Sequence, residues 1–264
     1  PSYFEDGSRV HVSRNFFGVK KVLFDAATNS RKLLHGDTVH GIENLESGKS
    51  GIALSYYHSS GPAGDVMRIV NGRAAQNIGI VGLGAGSLAS YASADQRITF
   101  FDVDPQMVEI AKAYFTFLPH CDGNCSVVLA DGRLAISQSP AESFDLLVID
   151  AFSSDSIPTH LVSKEAIEIY RSKLKPDGIL LFHVSNRYLD IEKLVSAQLI
   201  SLGLPAYVRR DEDASIPGKS GSVYVATVPN GVSLGSNWSR ITQSPSIKVW
   251  TDDYSDVLGL IRWF

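Results

Sequence analysis

The stretch IGIVGLGAGSLASYASADQRITFFDVDP, residues 78–105, sets two apolar runs around a cluster of glycines. Ile78 to Val81 is short, branched and apolar, the pattern of a strand buried on both faces. RITFF, ending at Phe101, repeats that pattern. Between the runs, Gly82, Gly84 and Gly86 allow a tight turn and let a ligand approach the backbone. Leu88 and Tyr91 then recur at helical spacing. Asp102 follows Gly82 by twenty residues. At that separation an acidic side chain meets ribose hydroxyls in Rossmann-like nucleoside sites. Glycines alone would also fit an ordinary turn. Flanking strands plus an acid at the right distance point to a nucleoside site.

Working outward, strands are expected at 78–82, 98–102, 126–129, 145–150, 178–184, 205–210 and 222–228. Helices are expected near 86–94, 105–116, 131–137, 163–174 and 190–202. Such alternation predicts a mostly parallel seven-stranded sheet with helices on both faces, its last two strands pairing antiparallel at the edge. RVHVSR, FFGVKKVLFDA and RKLLHGDTVHGI read differently. They are strand-like segments between Asn, Gly and Asp turns, and they predict a small antiparallel sheet. GDVMRIV reads as a short helix leading into the first buried strand. The expected division is a β appendage over 1–60 and a Rossmann-like nucleoside-binding domain over 61–264. The polar segment NGVSLGSNWSRITQSPS reads as a turn-rich connection to the tail.

Composition bounds the rest. The chain has 264 residues and a formal charge of −4, which carries no nucleic-acid footprint. No apolar run approaches the roughly 20 residues of a membrane span. The chain starts at Pro1, as an excised piece of a longer protein would, so the missing leader says little. Its two cysteines, Cys121 and Cys125, make neither a disulfide framework nor a complete metal site, and no metal is expected. They read as reduced thiols in a cytoplasmic protein.

Ligands in open α/β sheets bind beyond the carboxyl ends of the strands. Five successive strands put a polar group there: the glycines after the first, Asp102 on the second, Asp131 and Gly132 after the third, Asp150 on the fourth and His183 on the fifth. Asp131 could equally cap the following helix. Asp155 could be a turn residue, and His183 a core histidine satisfied by one hydrogen bond. Asp150 ends LLVID, where an unpaired carboxylate is costly to bury and no adjacent basic residue offers to pair with it.

GLGAG, FDVDP, LADG and FDLLVIDAFSSDSIP, with SYYHSSGPAGDV upstream, resemble the spermidine synthases, the polyamine aminopropyltransferases. The chain is most similar to bacterial spermidine synthase-like domains often fused to membrane transporter segments. The resemblance implies the class I methyltransferase fold and no permanently bound cofactor. It implies decarboxylated S-adenosylmethionine, or S-adenosylmethionine itself, as co-substrate and an amine or polyamine as acceptor. It also implies a homodimer and, within that subgroup, a tether to a membrane segment of a longer chain. Position by position, it gives the ribose to Asp102 and adenine to Asp131 and Gly132. It makes Asp150 the catalytic base, with Tyr57 and His58 along the amine channel and Asp155 holding the polyamine.

Three positions depart from the family. Ala85 stands where the glycine loop usually carries an aspartate for the donor's amino group. Ser59 replaces a glutamate. Lys219 stands where a loop tyrosine is usual. The exchange removes negative charge and adds a positive one, so Lys219 is expected to meet the carboxylate of an intact S-adenosylmethionine. The alternatives to aminopropyl transfer are therefore a methyl- or aminocarboxypropyltransferase, and a sensing domain that binds without chemistry.

Overall fold

The computed structural model describes residues 7–36, 38–73, 76–151, 158–213 and 215–262. Its first four strands, β1 (Ser8–Asn15), β2 (Gly18–Asp25), β3 (Ser30–His35) and β4 (Thr38–Asn44), form an antiparallel sheet in sequence order. Helix α1 (Pro62–Asn71) follows, with proline in its first turn, where a missing N–H costs nothing.

From there strands and helices alternate: β5 (Asn77–Val81), β6 (Arg97–Asp102), α2 (Pro105–Tyr114), β7 (Asn124–Leu129), α3 (Gly132–Gln138), β8 (Phe144–Ile149), α4 (Lys164–Lys173), β9 (Leu174–His183), α5 (Ile191–Ser201), β10 (Ala206–Asp211) and β11 (Ser222–Thr227). The expected sheet gains an eighth strand, β12 (Ser239–Ile241), inside the segment read as a polar connection. The order is β12-β10-β11-β9-β8-β5-β6-β7. Pairing is parallel from β9 through β7 and antiparallel among β9, β11, β10 and β12. This is the expected α/β architecture with a small antiparallel sheet before it.

Burial explains the two-sided strands. All six residues of β8 are buried. Alternate residues face opposite sides: Ile78, Ile80, Ile98, Phe100, Leu146 and Val148 join α1 and the N-terminal sheet, through Val22 and Leu33, in one core. Val81, Leu147, Ile149 and Phe182 join α3, α4 and α5 in the other. The N-terminal sheet is also held by polar contacts. Fully buried Lys20 pairs with Asp104, and buried Glu43 accepts the backbone N–H of Thr116 at 3.1 Å.

Two local expectations change. The segment after the glycines is a single 3₁₀ turn, Ser87–Tyr91, rather than a longer helix. Cys121 and Cys125 form a disulfide instead of two free thiols. The connector from α2 into β7 turns back on itself and brings their Cα atoms to 6.2 Å, within bonding reach. Spacing alone could not show that turn. Among the described residues, no helix is long and apolar enough to cross a membrane.

The tail docks firmly. Trp250 is fully buried, and the Gln198 amide donates to its carbonyl at 2.7 Å and accepts its N–H at 3.1 Å. Beside it, Arg133 forks onto Asp252 at 2.6 and 2.7 Å and holds that carboxyl down at about 2. An unfolded aspartate titrates near 3.9, so the pair's stabilisation is present above about pH 4 and lost as pH falls through 2. Arg133→Ala is expected to lower the melting temperature at pH 7 and to flatten its decline between pH 4 and 2. The effect is at most about 1 kcal/mol, because Asp252 is largely solvated. Thermal melts of both proteins across that range check it.

Candidate active site

Strand register assembles the site. Ile78 lies beside Ile98 and beside Leu146, so Val81, Phe101 and Ile149 end level with one another. The next residues, Gly82, Asp102 and Asp150, therefore emerge together at one sheet edge. They border a cavity of about 380 Å³ that also receives Gly84, Asp131 and Gly132. Gly82 has φ of 98°, and a Cβ there would lie 2.2 Å from the Asp150 carbonyl oxygen. Only glycine lets the loop cross β8 so closely. Gly86 starts the 3₁₀ turn behind the loop, outside the cavity lining.

Asp102 anchors the loop. Its two oxygens accept the N–H groups of Leu83 and Asp104, each at 2.9 Å. Burial pushes its carboxyl up, and those two backbone donors oppose the shift. Asp131 caps α3 by accepting the Leu134 N–H at 2.9 Å, and its other oxygen meets His160 Nε2 at 2.8 Å. Its capping role is thus real, and it borders the cavity as well.

Asp150 is the most constrained acid of the site. Its side chain is 8% exposed. Tyr57 donates its hydroxyl to Oδ2 at 2.5 Å, and His183 Nδ1 lies 2.6 Å from Oδ1. Burial, then the Asp150 charge, push the Tyr57 phenol far above its usual range, so it stays a donor. The His183 ring sits between Tyr56 and Tyr224, with 4.6 Å between centroids on each side. Tyr57 and His183 support Asp150 from behind and are not part of the cavity lining.

The geometry does not bring Lys219 to the donor's tail as expected. Lys219 is buried, 3.0 Å from Asp211 and 3.6 Å from Asp213, and does not line the cavity. Its charge is already matched by carboxylates that sequence distance from the glycine loop concealed. Ala85 is fully buried under β4, its N–H bonded to the His40 carbonyl at 3.1 Å. His58 bonds Ser60 Oγ at 2.9 Å and stands near Lys219, whose charge, after burial, lowers its basicity. It too lies outside the cavity lining. Asp155 lies outside the described residues.

The N-terminal sheet supplies lining that the sequence reading missed: Phe16, Phe17, His35 and His40. Burial, with His35 as a lesser cause, lowers His40 to about 4, so it is neutral at pH 7. The strand pattern of this segment placed a sheet but gave no sign of which side faced the glycine loop.

Residues 74–200 match the spermine/spermidine synthase domain family. The match contains the glycine loop, Asp102, Asp131, Asp150 and His183, and excludes Tyr57, His58 and Lys219. A polyamine aminopropyltransferase of Vibrio vulnificus is 30% identical over 111 residues, 40% of this chain and 36% of that protein. A probable polyamine aminopropyl transferase of Bifidobacterium longum is 23% identical over 205 residues, 76% of this chain and 41% of that protein. The chain thus spans about two-fifths of the length of these curated relatives. The crystal structure of Thermotoga maritima spermidine synthase superposes with a TM-score of 0.67 at 14% identity, covering 97% of this chain and 84% of that one. That likeness shows the shared fold. Residues 74–200, with their glycine loop and strand-end acids, are thus similar to a spermine/spermidine synthase domain.

Proposed function

We propose that this chain transfers an aminopropyl group from decarboxylated S-adenosylmethionine to an amine or polyamine, releasing methylthioadenosine. The observation that carries this reading is Asp150, a buried acid that lines the same cavity as the glycine loop and Asp102. In it, Asp102 holds the ribose, Asp131 and Gly132 meet adenine, and Asp150 is the base. Tyr57 holds that base. His58 and Asp155 belong to the acceptor's side. A protonated amine has no lone pair for attack. Asp150 takes the proton, and the nitrogen lone pair then attacks the methylene carbon bonded to the sulfonium. The C–S bond breaks, its electrons go to sulfur, and neutral methylthioadenosine leaves. Holding amine and sulfonium together supplies much of the remaining acceleration. Lys219 is matched by Asp211, which removes the reason to prefer the intact donor. The proposal extends to a homodimer and to action in a longer, membrane-tethered chain.

The test is to offer both donors with a panel of mono-, di- and polyamines and to identify the nucleoside product. Methylthioadenosine from the decarboxylated donor supports the reading. Methylthioadenosine from intact S-adenosylmethionine marks aminocarboxypropyl transfer. Adenosylhomocysteine marks methyl transfer, and saturable binding without product marks a sensor; any of these three overturns it.

Donor binding tests the nucleoside half separately. Asp102→Ala removes the ribose acceptor and the two bonds that fix Leu83 and Asp104. Losing hydrogen bonds to a charged group costs about 1.5–3 kcal/mol, so affinity should fall roughly 10- to 100-fold by calorimetry. Unchanged affinity in a folded variant would take Asp102 out of the binding site.

A further inference from the structure

We infer that His183 and Ser185 are positioning residues for Asp150, fixing its carboxylate through a hydrogen-bond chain of one polarity that begins at the backbone of β11. The inference rests on Asp150 being the base of the proposed reaction.

The chain is read from its buried end. The Val223 N–H donates to Ser185 Oγ at 2.8 Å. The Ser185 hydroxyl has His183 Nε2 at 2.8 Å and the Val223 carbonyl at 3.5 Å. The shorter contact is the better acceptor, so the hydroxyl donates to Nε2. A neutral imidazole that accepts at one nitrogen carries its proton on the other. Nδ1–H then donates to Asp150 Oδ1 at 2.6 Å. Each link polarises the next. Tyr57 closes the clamp on Oδ2.

Packing prevents the ring from escaping. His183 is sandwiched by Tyr56 and Tyr224, and among the described residues the titratable groups facing the Asp150–His183 pair are Tyr56, Tyr57, Tyr224 and His40. The three phenols are pushed far above their usual range and His40 is neutral, so none competes for Oδ1 as a cation. If His183 adopted the other tautomer, its Nδ1 lone pair would face the carboxylate and repel it. A Ser185 hydroxyl that donates to Nε2 disfavours that tautomer together with the carboxylate. With each oxygen held by one donor, a carboxylate keeps further lone pairs for an amine in the cavity, and its plane cannot turn away.

The experiment joins a spectrum to kinetics. The ¹⁵N spectrum of the wild-type protein should show His183 protonated at Nδ1 and bare at Nε2 at pH 7.5, with that pattern lost in Ser185→Ala. His183→Phe keeps the stacked ring and removes both nitrogens. It should lower kcat about 10- to 100-fold, as loss of an orienting partner does, with donor Kd unchanged. His183→Asn places an amide donor near the former Nδ1 and should recover most of the loss. A wild-type proton on Nε2, an unaltered pattern in Ser185→Ala, or wild-type kcat in His183→Phe overturns the inference. Should His183→Phe fail to fold, the spectrum and the other two variants decide. A wild type that makes no methylthioadenosine defeats the proposed reaction instead, and the spectrum still decides the chain.

Discussion

Replacing Asp150 with asparagine should lower turnover by roughly 10²–10⁴-fold while leaving donor affinity close to that of the wild type. The size of the loss follows from the role. General bases contribute on that scale, and an amide cannot take an amine's proton. Retention of the fold follows from the partners. The amide oxygen can still accept from His183 Nδ1, and its NH₂ can donate to the Tyr57 oxygen, since a phenol both donates and accepts. Donor binding should persist because Asp102, Asp131 and the glycine loop do not depend on the Asp150 side chain. Raising the pH should partly rescue the variant, as more acceptor amine is then free without a base. The measurements are steady-state turnover from pH 7 to 10 and calorimetric donor binding. An Asp150→Asn protein with wild-type turnover on its true acceptor would mean that another group takes the proton.

The acids at the sheet edge were legible because β periodicity and strand length fix where a strand stops. Once Ile78–Val81, RITFF and FDLLVI are recognised as parallel strands, register alone puts Gly82, Asp102 and Asp150 in a row. No long-range knowledge is needed beyond the order of the strands. Asp131 was half legible: its place before a helix gave the cap, but nothing in LADGRL indicated that His160, 29 residues away, would share its carboxylate.

Side-chain partners across the fold were not legible. Lys219 looked like a free charge because Asp211 and Asp213 lie on the other side of a loop whose path the sequence does not specify. Ala85 stands where the resemblance expects an acid for the donor's amino group, yet β4 covers it, and sheet-on-loop docking leaves no periodic trace. His35 and His40 carry the same lesson: their strands were recognised, but which face met the cavity depended on Lys20 reaching Asp104 and Glu43 reaching Thr116. The strand β12 has three residues, too few for alternation to show. Asp104, the second acid of FDVDP, borders the cavity and is also a cap and ion-pair partner, which its sequence position did not show. It accepts the Gln106 N–H at 3.0 Å at the start of α2 and holds Lys20.

Gly82→Ala is expected to cost about 2–6 kcal/mol of stability. Two penalties add. A φ of 98° is strained for any L side chain, and the new methyl would sit 2.2 Å from the Asp150 carbonyl oxygen, an atom that belongs to a backbone and cannot rotate aside. Relief requires the glycine loop or the end of β8 to move. Either shift carries Asp150 away from Tyr57 and His183, so activity should be lost along with stability even where the protein still folds. Gly48→Ala separates the two penalties. Gly48 has φ of 81° and nothing within 4 Å of a would-be Cβ, so it bears the backbone strain alone and should cost about 1–3 kcal/mol. Denaturant unfolding of both variants gives the difference, which is the clash at Asp150. Equal losses at the two glycines would show that the loop yields freely there, and that the close crossing of the glycine turn over β8 does not hold the base in place.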